Sequence, residues 1–235
     1  MNLGTLRRLQ ETYTSFGAVA VLHVIACRVV EKLARGEIYR LFTLEYADIP
    51  EKLKGLPSGF TLTKMSGAEA IAASTPALRF ADVHDPTYDP GPDLDPGTRC
   101  YGLLEGDLLV CRGWYRSASV LLDPSVSISF DPGWMYSYRS FTVPTHRRRG
   151  LAAQLEAQAS LDFKSQGCQG ILGIIYLDNF PSIQSGYKVG YRAVGTLVVL
   201  RIFGATRVFT TPGCRRTGLT VQQNARRTTP LAPGI

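Results

Sequence analysis

The segment that most constrains the fold of this chain is 134–176, which reads as strand, helix and strand. Residues 136–143 are rich in aromatic and β-branched side chains, and "ILGIIY" at 171–176 is an unbroken apolar run typical of a strand covered on both faces. Between them, apolar side chains recur at steps of four and predict an amphipathic helix over 150–165. Its buried face is predicted to hold Leu151, Leu155, Ala159 and Phe163, with Gln154, Glu156, Gln158 and Asp162 elsewhere.

The remaining segments extend this unit into an α/β fold. Residues 3–44 read as helical with breaks at glycines, 99–117 and 125–143 as two antiparallel strand pairs, and 191–204 as one or two further strands. We therefore expect a mixed, mostly antiparallel central sheet flanked by helices, with an extra N-terminal helical segment. The expected limits are 1–57 for the helical extension and linker, 58–204 for the main domain, and 205–235 for a basic, flexible tail.

The charge of the chain lies at its two ends. Residues 1–40 hold six Lys or Arg against three Glu, 205–235 hold five Arg and no acid, and the net charge is +7. The intervening part is close to neutral and has no basic stripe interleaved with aromatics, so no nucleic-acid partner is expected. Five cysteines without a CxxC pair indicate reduced thiols of a cytoplasmic protein, with no structural metal.

Residues 16–30 form the most apolar stretch of the chain. It is interrupted by His23 and Arg28, and a membrane span needs roughly 20 mostly apolar residues. Two alternatives remain open. The stretch is either a helix packed on the domain or an amphipathic anchor in a membrane surface, with Arg7, Arg8, Arg28, Lys32 and Arg35 near the headgroups. The second alternative would put the protein at the inner face of a membrane.

Three consecutive arginines and a glycine separate the strand ending at Val143 from the helix that follows. The start of a helix leaves unpaired N–H groups with partial positive charge, and Gly150 lets a ligand approach them closely. The arginines add forked hydrogen-bond donors. This arrangement predicts a phosphate site, although neither the Walker pattern nor GxGxxG is present.

The spacing Arg-x-x-Gly-x-Ala at 147–152 resembles the pyrophosphate motif Q/R-x-x-G-x-G/A of the GCN5-related N-acetyltransferase (GNAT) superfamily. Downstream, "NFPSIQSGYKVGY" at 179–191 resembles the second signature of that family, an asparagine, a short helix and a Gly-Tyr that opens the next strand. The resemblance covers roughly 58–204 and implies a GNAT-like fold.

The resemblance also implies that acetyl-CoA or another acyl-CoA binds as cosubstrate, without a metal. Its pyrophosphate would lie over the turn of Arg147, Arg148, Arg149, Gly150, Leu151 and Ala152. Its pantetheine arm would pair with the strand end of Phe141, Thr142 and Val143, and Asn179 would complete the site. A backbone N–H near Val143 would stabilise the oxyanion formed when an amine attacks the thioester.

The proton donor to the leaving sulfur has two candidates in this sequence. Many members of the family carry a tyrosine seven residues after the asparagine, and here that position is Gly186. The candidate catalytic residues are therefore Ser182, in an Asn-x-x-Ser arrangement, and Tyr187, one step further on. No general base is identified. Each residue that could act as one has a simpler structural role. Glu105 and Asp131 read as turn residues, His146 lies beside the arginines, and one of Tyr136 and Tyr138 is expected to face the acceptor.

The sequence thus predicts an acyl-CoA-dependent N-acyltransferase, most simply an acetyltransferase, acting on a small amine or amino sugar. The alternative is a non-catalytic acyl-CoA-binding module at a membrane or in an assembly. The loop 82–97, with five aspartates, favours a cationic amine only weakly. A homodimer is left open.

Overall fold

The computed structural model of the chain describes residues 3–73, 76, 95, 97–117, 119–123 and 125–223. Its helices are α1 (Leu3–Phe16), α2 (Ala18–Ala34), α3 (Gly67–Ala72), α4 (Leu151–Ser165) and α5 (Phe180–Val189). Its strands are β1 (Glu37–Glu45), β2 (Phe60–Met65), β3 (Thr98–Glu105), β4 (Leu108–Arg116), β5 (Val120–Asp123), β6 (Val126–Ser129), β7 (Trp134–Thr142), β8 (Gly170–Tyr176), β9 (Arg192–Ile202), β10 (Ala205–Thr210) and β11 (Thr220–Gln223).

The central sheet has the strand order β10-β9-β1-β8-β7-β4-β3-β2 within the described residues. Every neighbouring pair is antiparallel except β7 and β8, which are parallel and are connected by α4. A parallel pair requires such a crossover because a short turn cannot return the chain to the same end of the sheet. The predicted fold class, a mixed and mostly antiparallel sheet flanked by helices, is confirmed.

The helix α4 packs on one face of this sheet through the apolar side chains that recur at steps of four. Leu151, Leu155, Ala159 and Phe163 are all at most 2% exposed. Phe163 also contacts the rings of Tyr101 and Tyr115, each with centroids 5.2 Å away. Burying one such leucine or phenylalanine contributes about 1.5–3 kcal/mol. This packing fixes the start of α4 and therefore the turn that precedes it.

The prediction that residues 3–44 are helical is wrong for their last part. Residues 37–45 form β1, which lies inside the sheet between β8 and β9. The turn at Gly36 runs against β9 so closely that a Cβ there would collide with the carbonyl oxygen of Val199. β1 carries Ile38, Tyr39, Phe42 and Thr43, residue types that favour strands, and its burial on both faces removes the alternation that would have marked it in the sequence.

The remaining N-terminal helices form a hairpin on the same face of the sheet as α5. Ala20 and Val24 of α2 are buried against Phe180 at the start of α5, and Phe16 lies 5.1 Å from the Phe180 ring. Within the described residues, no helix has the length and apolar character needed to cross a membrane. The side of 16–30 that holds Ala20 and Val24 packs on the domain.

The prediction that residues 205–235 form a flexible tail is wrong for 205–223. β10 pairs with β9, and β11 pairs with β6 in a small sheet of order β11-β6-β5. Cys214 is buried, with its Sγ 3.6 Å from the carbonyl oxygen of Thr196. The prediction of a flexible tail rested on the arginines of this segment. Its structure is decided instead by the side chains that favour strands. Residues 224–235 lie outside the described part of the chain.

The small sheet covers the face of the central sheet that α4 leaves open. Val120 and Ile128 pack there with Phe130, Tyr136 and Leu172. The two faces of β7 consequently have different surroundings. One points to α4 and α5, and the other points to the small sheet.

Candidate functional site

The parallel strands β7 and β8 separate partway along their length. Their pairing ends at Ser137 and Gly173. Beyond that point β7 continues along β4 and β8 continues along β1. At the point of separation β7 carries a β-bulge, in which two residues lie opposite Gly113 and Arg139 has a φ of 50°. Such bulges redirect a strand and are common beside active sites.

The separation opens a cleft of about 340 Å³ between β7, β8, α4 and α5. The strands contribute Ser137, Tyr138, Ser140 and Ile175, and the two helices contribute Ala152, Glu156, Ser182 and Gly186. Of the two tyrosines considered as acceptor-facing, Tyr138 is among the residues that line the cleft, while Tyr136 is buried beside Phe130. Their rings stack with centroids 5.9 Å apart, so both lie on the same side of β7.

The arginine turn lies at one end of this cleft. A 3-10 turn covers Pro144–His146, and α4 begins after Gly150, whose φ of 77° is in the left-handed region. Among the described residues, no side chain caps this end of α4, and a Cβ built on Gly150 would meet no atom within 4 Å. Because Ala152 in the first turn of α4 lines the cleft, the uncapped N–H groups are at its edge.

The arginines of the turn have different partners. Arg149 contacts Glu105 at 3.3 Å and lies 4.9 Å from the ring of Phe60. Arg147 donates from Nε to the carbonyl oxygen of Thr142 at 3.2 Å. Arg148 is exposed, with no ion-pair partner among the described residues. Two of the three positive charges therefore lack a carboxylate partner within the described residues.

Glu105 has a larger role than that of a turn residue. It reaches from the β3–β4 hairpin to the arginine turn, where it accepts from His146 Nε2 at 2.9 Å and from Arg149. The hydrogen bond from His146 is the largest cause that holds the pKa of Glu105 below its usual value, and Arg149 adds to it. His146 is thereby held beside the turn. Asp131, in contrast, accepts from the N–H of Gly133 at 2.8 Å and has the turn role predicted for it.

The backbone N–H of Val143 itself is not free to act as the predicted oxyanion donor, and a donor near Val143 stays a prediction. The N–H of Val143 donates to the carbonyl oxygen of Val110 at 2.9 Å, and its side chain is buried in the core. Phe141 and Thr142 are half-buried and follow the residues of β7 that line the cleft. The pairing of β7 with β4 thus engages this N–H, and the cleft lies earlier along the strand.

The helix α5 forms the opposite wall of the cleft. Asn179 caps it by accepting the N–H of Ser182 at 3.4 Å, and both residues line the cleft. Tyr187 lies on another side of α5, where it is 55% exposed and meets the edge of the Phe42 ring at 5.6 Å between centroids. The structure therefore brings Ser182 to the cleft together with Asn179, and leaves Tyr187 outside it.

Glu156 is a cleft residue that the sequence analysis missed, because it was assigned to the polar side of α4. It is 7% exposed, and its carboxylate accepts the hydroxyl of Tyr115 at 2.9 Å and that of Tyr191. Burial raises the pKa of Glu156, while hydrogen bonds from Tyr191, Tyr115 and Ser137 oppose that shift. Small residues beside it in the sequence, Ala157, Ala159 and Ser160, were the available signal that α4 is buried over more than one face.

Part of the predicted surroundings cannot be compared with the structure. The acidic loop 82–97 lies outside the described residues except for Asp95 and Gly97, and Asp95 pairs with Arg116 at 3.1 Å. Within the described residues, no group of three or more His, Cys, Asp or Glu side chains is arranged to hold a metal ion.

No protein-family model and no curated protein matches this sequence. An X-ray structure of a Drosophila protein matches it with a TM-score of 0.50 at 16% identity, over 87% of this chain and 60% of that chain. A protein from Novosphingobium aromaticivorans assigned to the GNAT family has a TM-score of 0.48 at 19% identity, over 70% and 63%. A GCN5-related N-acetyltransferase-like protein from Streptococcus suis has 0.47 at 15%, over 73% and 65%.

These similarities concern the fold. The chain spans less than two thirds of the length of each of these three proteins, and the identities are low. The structure has the mixed, mostly antiparallel sheet flanked by helices that the resemblance to the GNAT superfamily implies. The sheet is mixed, its one parallel pair among the described strands separates at Ser137, and the arginine turn leads into the crossover helix.

Proposed function

We propose that this chain is an acyl-CoA-dependent N-acyltransferase, and that acetyl-CoA is its simplest donor. The acceptor is a small primary amine or an amino sugar. The observation that carries the proposal is the position of the arginine turn, which places an uncapped helix start and an open glycine at the edge of the cleft between β7 and β8.

The residues at the cleft fit the parts of an acyl-CoA. A pyrophosphate carries two or more negative charges, and it would find Arg147, Arg148 and the first N–H groups of α4 together at one end. Beyond Ser137, the edge of β7 that faces β8 has no strand partner in the part of the chain that the structure describes. An extended amide-containing arm can pair with such an edge through main-chain hydrogen bonds. The thioester would then lie near the separation of the two strands.

The chemistry requires few groups from the protein. The amine nitrogen forms a bond to the thioester carbon, the carbon–sulfur bond breaks, and the sulfur leaves as a thiolate. The amine loses one proton and the sulfur can gain one. Ser182 is the candidate donor to sulfur because its side chain lines the cleft. Glu156 is the candidate acceptor of the amine proton, since its raised pKa brings it closer to neutral pH than that of an ordinary carboxyl group.

The test is release of free CoA thiol from acetyl-CoA with a panel of amines that includes polyamines, amino acids and amino sugars. Release that depends on an added amine is the expected result. CoA binding without release for any amine would support the non-catalytic module instead. The absence of CoA binding in calorimetry would refute both.

The second candidate, an acyl-CoA-binding module at a membrane, is favoured by one observation on α2. The helix buries Ala20 and Val24 but exposes apolar side chains on its other side, including Leu22 at 64% and Leu33 at 81%. Isolated exposed leucines are ordinary, but a row along one helix can lie in a lipid surface. Lys32 and Arg35 lie beside this row, and Arg28 pairs with Glu31 at 2.8 Å.

This candidate is tested by sedimentation with anionic vesicles. The double variant Leu22→Glu/Leu33→Glu should lose vesicle binding and keep its CoA affinity, because both positions are exposed and outside the cleft. A wild-type protein that does not sediment with vesicles would exclude the membrane module. The cytoplasmic location and the homodimer remain predictions.

A further inference from the structure

A second cavity lies on the side of α5 that faces away from the cleft. It has a volume of about 250 Å³, is partly open to solvent, and is bounded by the α1–α2 hairpin, β1 and α5. Most of its lining is apolar, from Phe16, Ala20, Leu177, Phe180 and Ile183. Phe42 of β1 lines both this cavity and the cleft, so the two are neighbours that share one side chain.

One cation lies in this apolar lining. Arg40 of β1 is half-buried, and the lining contains no acidic residue. No carboxylate of a described residue forms an ion pair with Arg40, whereas Arg116 pairs with Asp95 at 3.1 Å and Arg201 pairs with Glu37 at 2.9 Å. A partly buried cation loses hydration, and an opposite charge normally compensates for that loss. At Arg40 the fold provides no such charge from the described residues.

The lining also contains a histidine, which cannot supply a negative charge. The ring of His23 stacks near that of Phe180, with centroids 6.4 Å apart. Burial, together with the nearby Arg40, lowers the pKa of His23 from its usual value, which favours the uncharged ring. The polar side chains Gln184 and Tyr187 complete the lining. The cavity therefore combines an apolar body with a single positive charge.

We propose that this cavity binds a monocarboxylic acid with an aromatic or branched apolar body, and that Arg40 holds its carboxylate. A cavity of about 150 Å³ accommodates benzene. The larger volume here suits a phenyl ring with a short carboxylate-bearing chain. A guanidinium group binds a carboxylate through two parallel hydrogen bonds, so charge and shape are recognised together. The proposal concerns binding alone and does not depend on acyl transfer in the cleft.

The test uses 3-phenylpropionate and its neutral analogue 3-phenylpropanamide, titrated into the full chain by calorimetry at pH 7. We expect the acid to bind at least about tenfold more tightly than the amide, since a hydrogen bond to a charged group contributes about 1.5–3 kcal/mol. Arg40→Gln should abolish this preference. Arg207→Gln, in β10 and outside the cavity lining, is the matched control and should retain it.

Two further measurements keep the proposal falsifiable if Arg40→Gln does not fold. Arg40→Lys keeps the positive charge and should retain part of the preference for the acid. Methyl NMR of the wild type should show the acid shifting the signals of Ile183 and Val19, which line the cavity. Equal affinity for acid and amide, no binding of either, or shifts confined to other methyl groups would overturn the proposal.

Discussion

Substituting Gly150 by valine should affect two quantities that can be measured separately. One is the stability of the fold, and the other is the affinity of the arginine turn for CoA. Gly150 has a φ of 77°, and a Cβ there would meet no atom within 4 Å. A side chain therefore causes no clash in the protein, but the left-handed backbone costs an L-residue roughly 1–2 kcal/mol. With CoA bound, the same side chain would occupy the space through which the pyrophosphate approaches the first N–H groups of α4.

The expected loss of affinity follows from those contacts. Losing one hydrogen bond to a charged group costs about 1.5–3 kcal/mol. Since about 1.4 kcal/mol corresponds to a factor of ten, Gly150→Val should weaken CoA about tenfold to a hundredfold. Calorimetric titration of CoA into the purified variant measures this directly, and thermal denaturation reports the cost to stability separately.

The other end of α4 supplies a matched control. Gly167 has a φ of 82° and, like Gly150, has no atom within 4 Å of an added Cβ. Gly167→Val should therefore lose a similar amount of stability, because the backbone penalty is the same, and should bind CoA as the wild type does. Equal CoA affinity in the two variants would refute the assignment of the arginine turn as the phosphate site.

Two other predictions concern side chains of the cleft. Ser182→Ala should lower turnover, by at most about 10²–10⁴-fold, with CoA affinity unchanged, while Tyr187→Phe should do less because its side chain lies outside the cleft; steady-state thiol release measures both, and the reverse order would contradict the assignment. Glu156→Gln should change how stability depends on pH. Because burial raises the pKa of Glu156, the folded protein binds this proton more tightly than the unfolded chain does, so wild-type stability falls as pH rises from the unfolded pKa through the folded one. Gln does not titrate, so the melting temperature of the variant relative to wild type should rise between pH 4.5 and pH 8, and a constant difference across that range would be the contrary result.

The local pattern of the sequence was sufficient to predict an element where one of its faces is buried and the other is exposed. The α4 helix is an example, since its apolar side chains at steps of four are those that pack on the sheet. The turn before it was equally predictable, because glycine at a helix start after consecutive arginines has few structural explanations. The fold class followed from these two features and the second signature at Asn179.

The same reasoning failed for β1 because its environment is set by distant parts of the chain. Its neighbours β8 and β9 follow it by more than a hundred residues, and they cover the edges that would otherwise leave a lone strand unpaired. In isolation "EIYRLFTLE" fits a helix or a strand, and short apolar segments cannot be distinguished by periodicity alone. The long-range pairing decides the structure here, and it also explains why the N-terminal segment cannot be treated as a separable extension.

Glu156 shows the same limit at the level of a single side chain. A glutamate on an amphipathic helix is normally exposed, and the small residues that follow Glu156 were the one sign that this part of α4 is buried on more than one face. Its position in the cleft depends on Tyr115 of β4, Ser137 of β7 and Tyr191, which come together only when the sheet has formed and α4 has crossed it. Three hydroxyl donors around the buried carboxylate of Glu156 compensate in part for its lost hydration. The half-buried Arg40 has no ion-pair partner among the described residues. The fold thus supplies hydrogen-bond partners to Glu156 from two strands and a loop, while the charge of Arg40 is the one that we propose a ligand compensates.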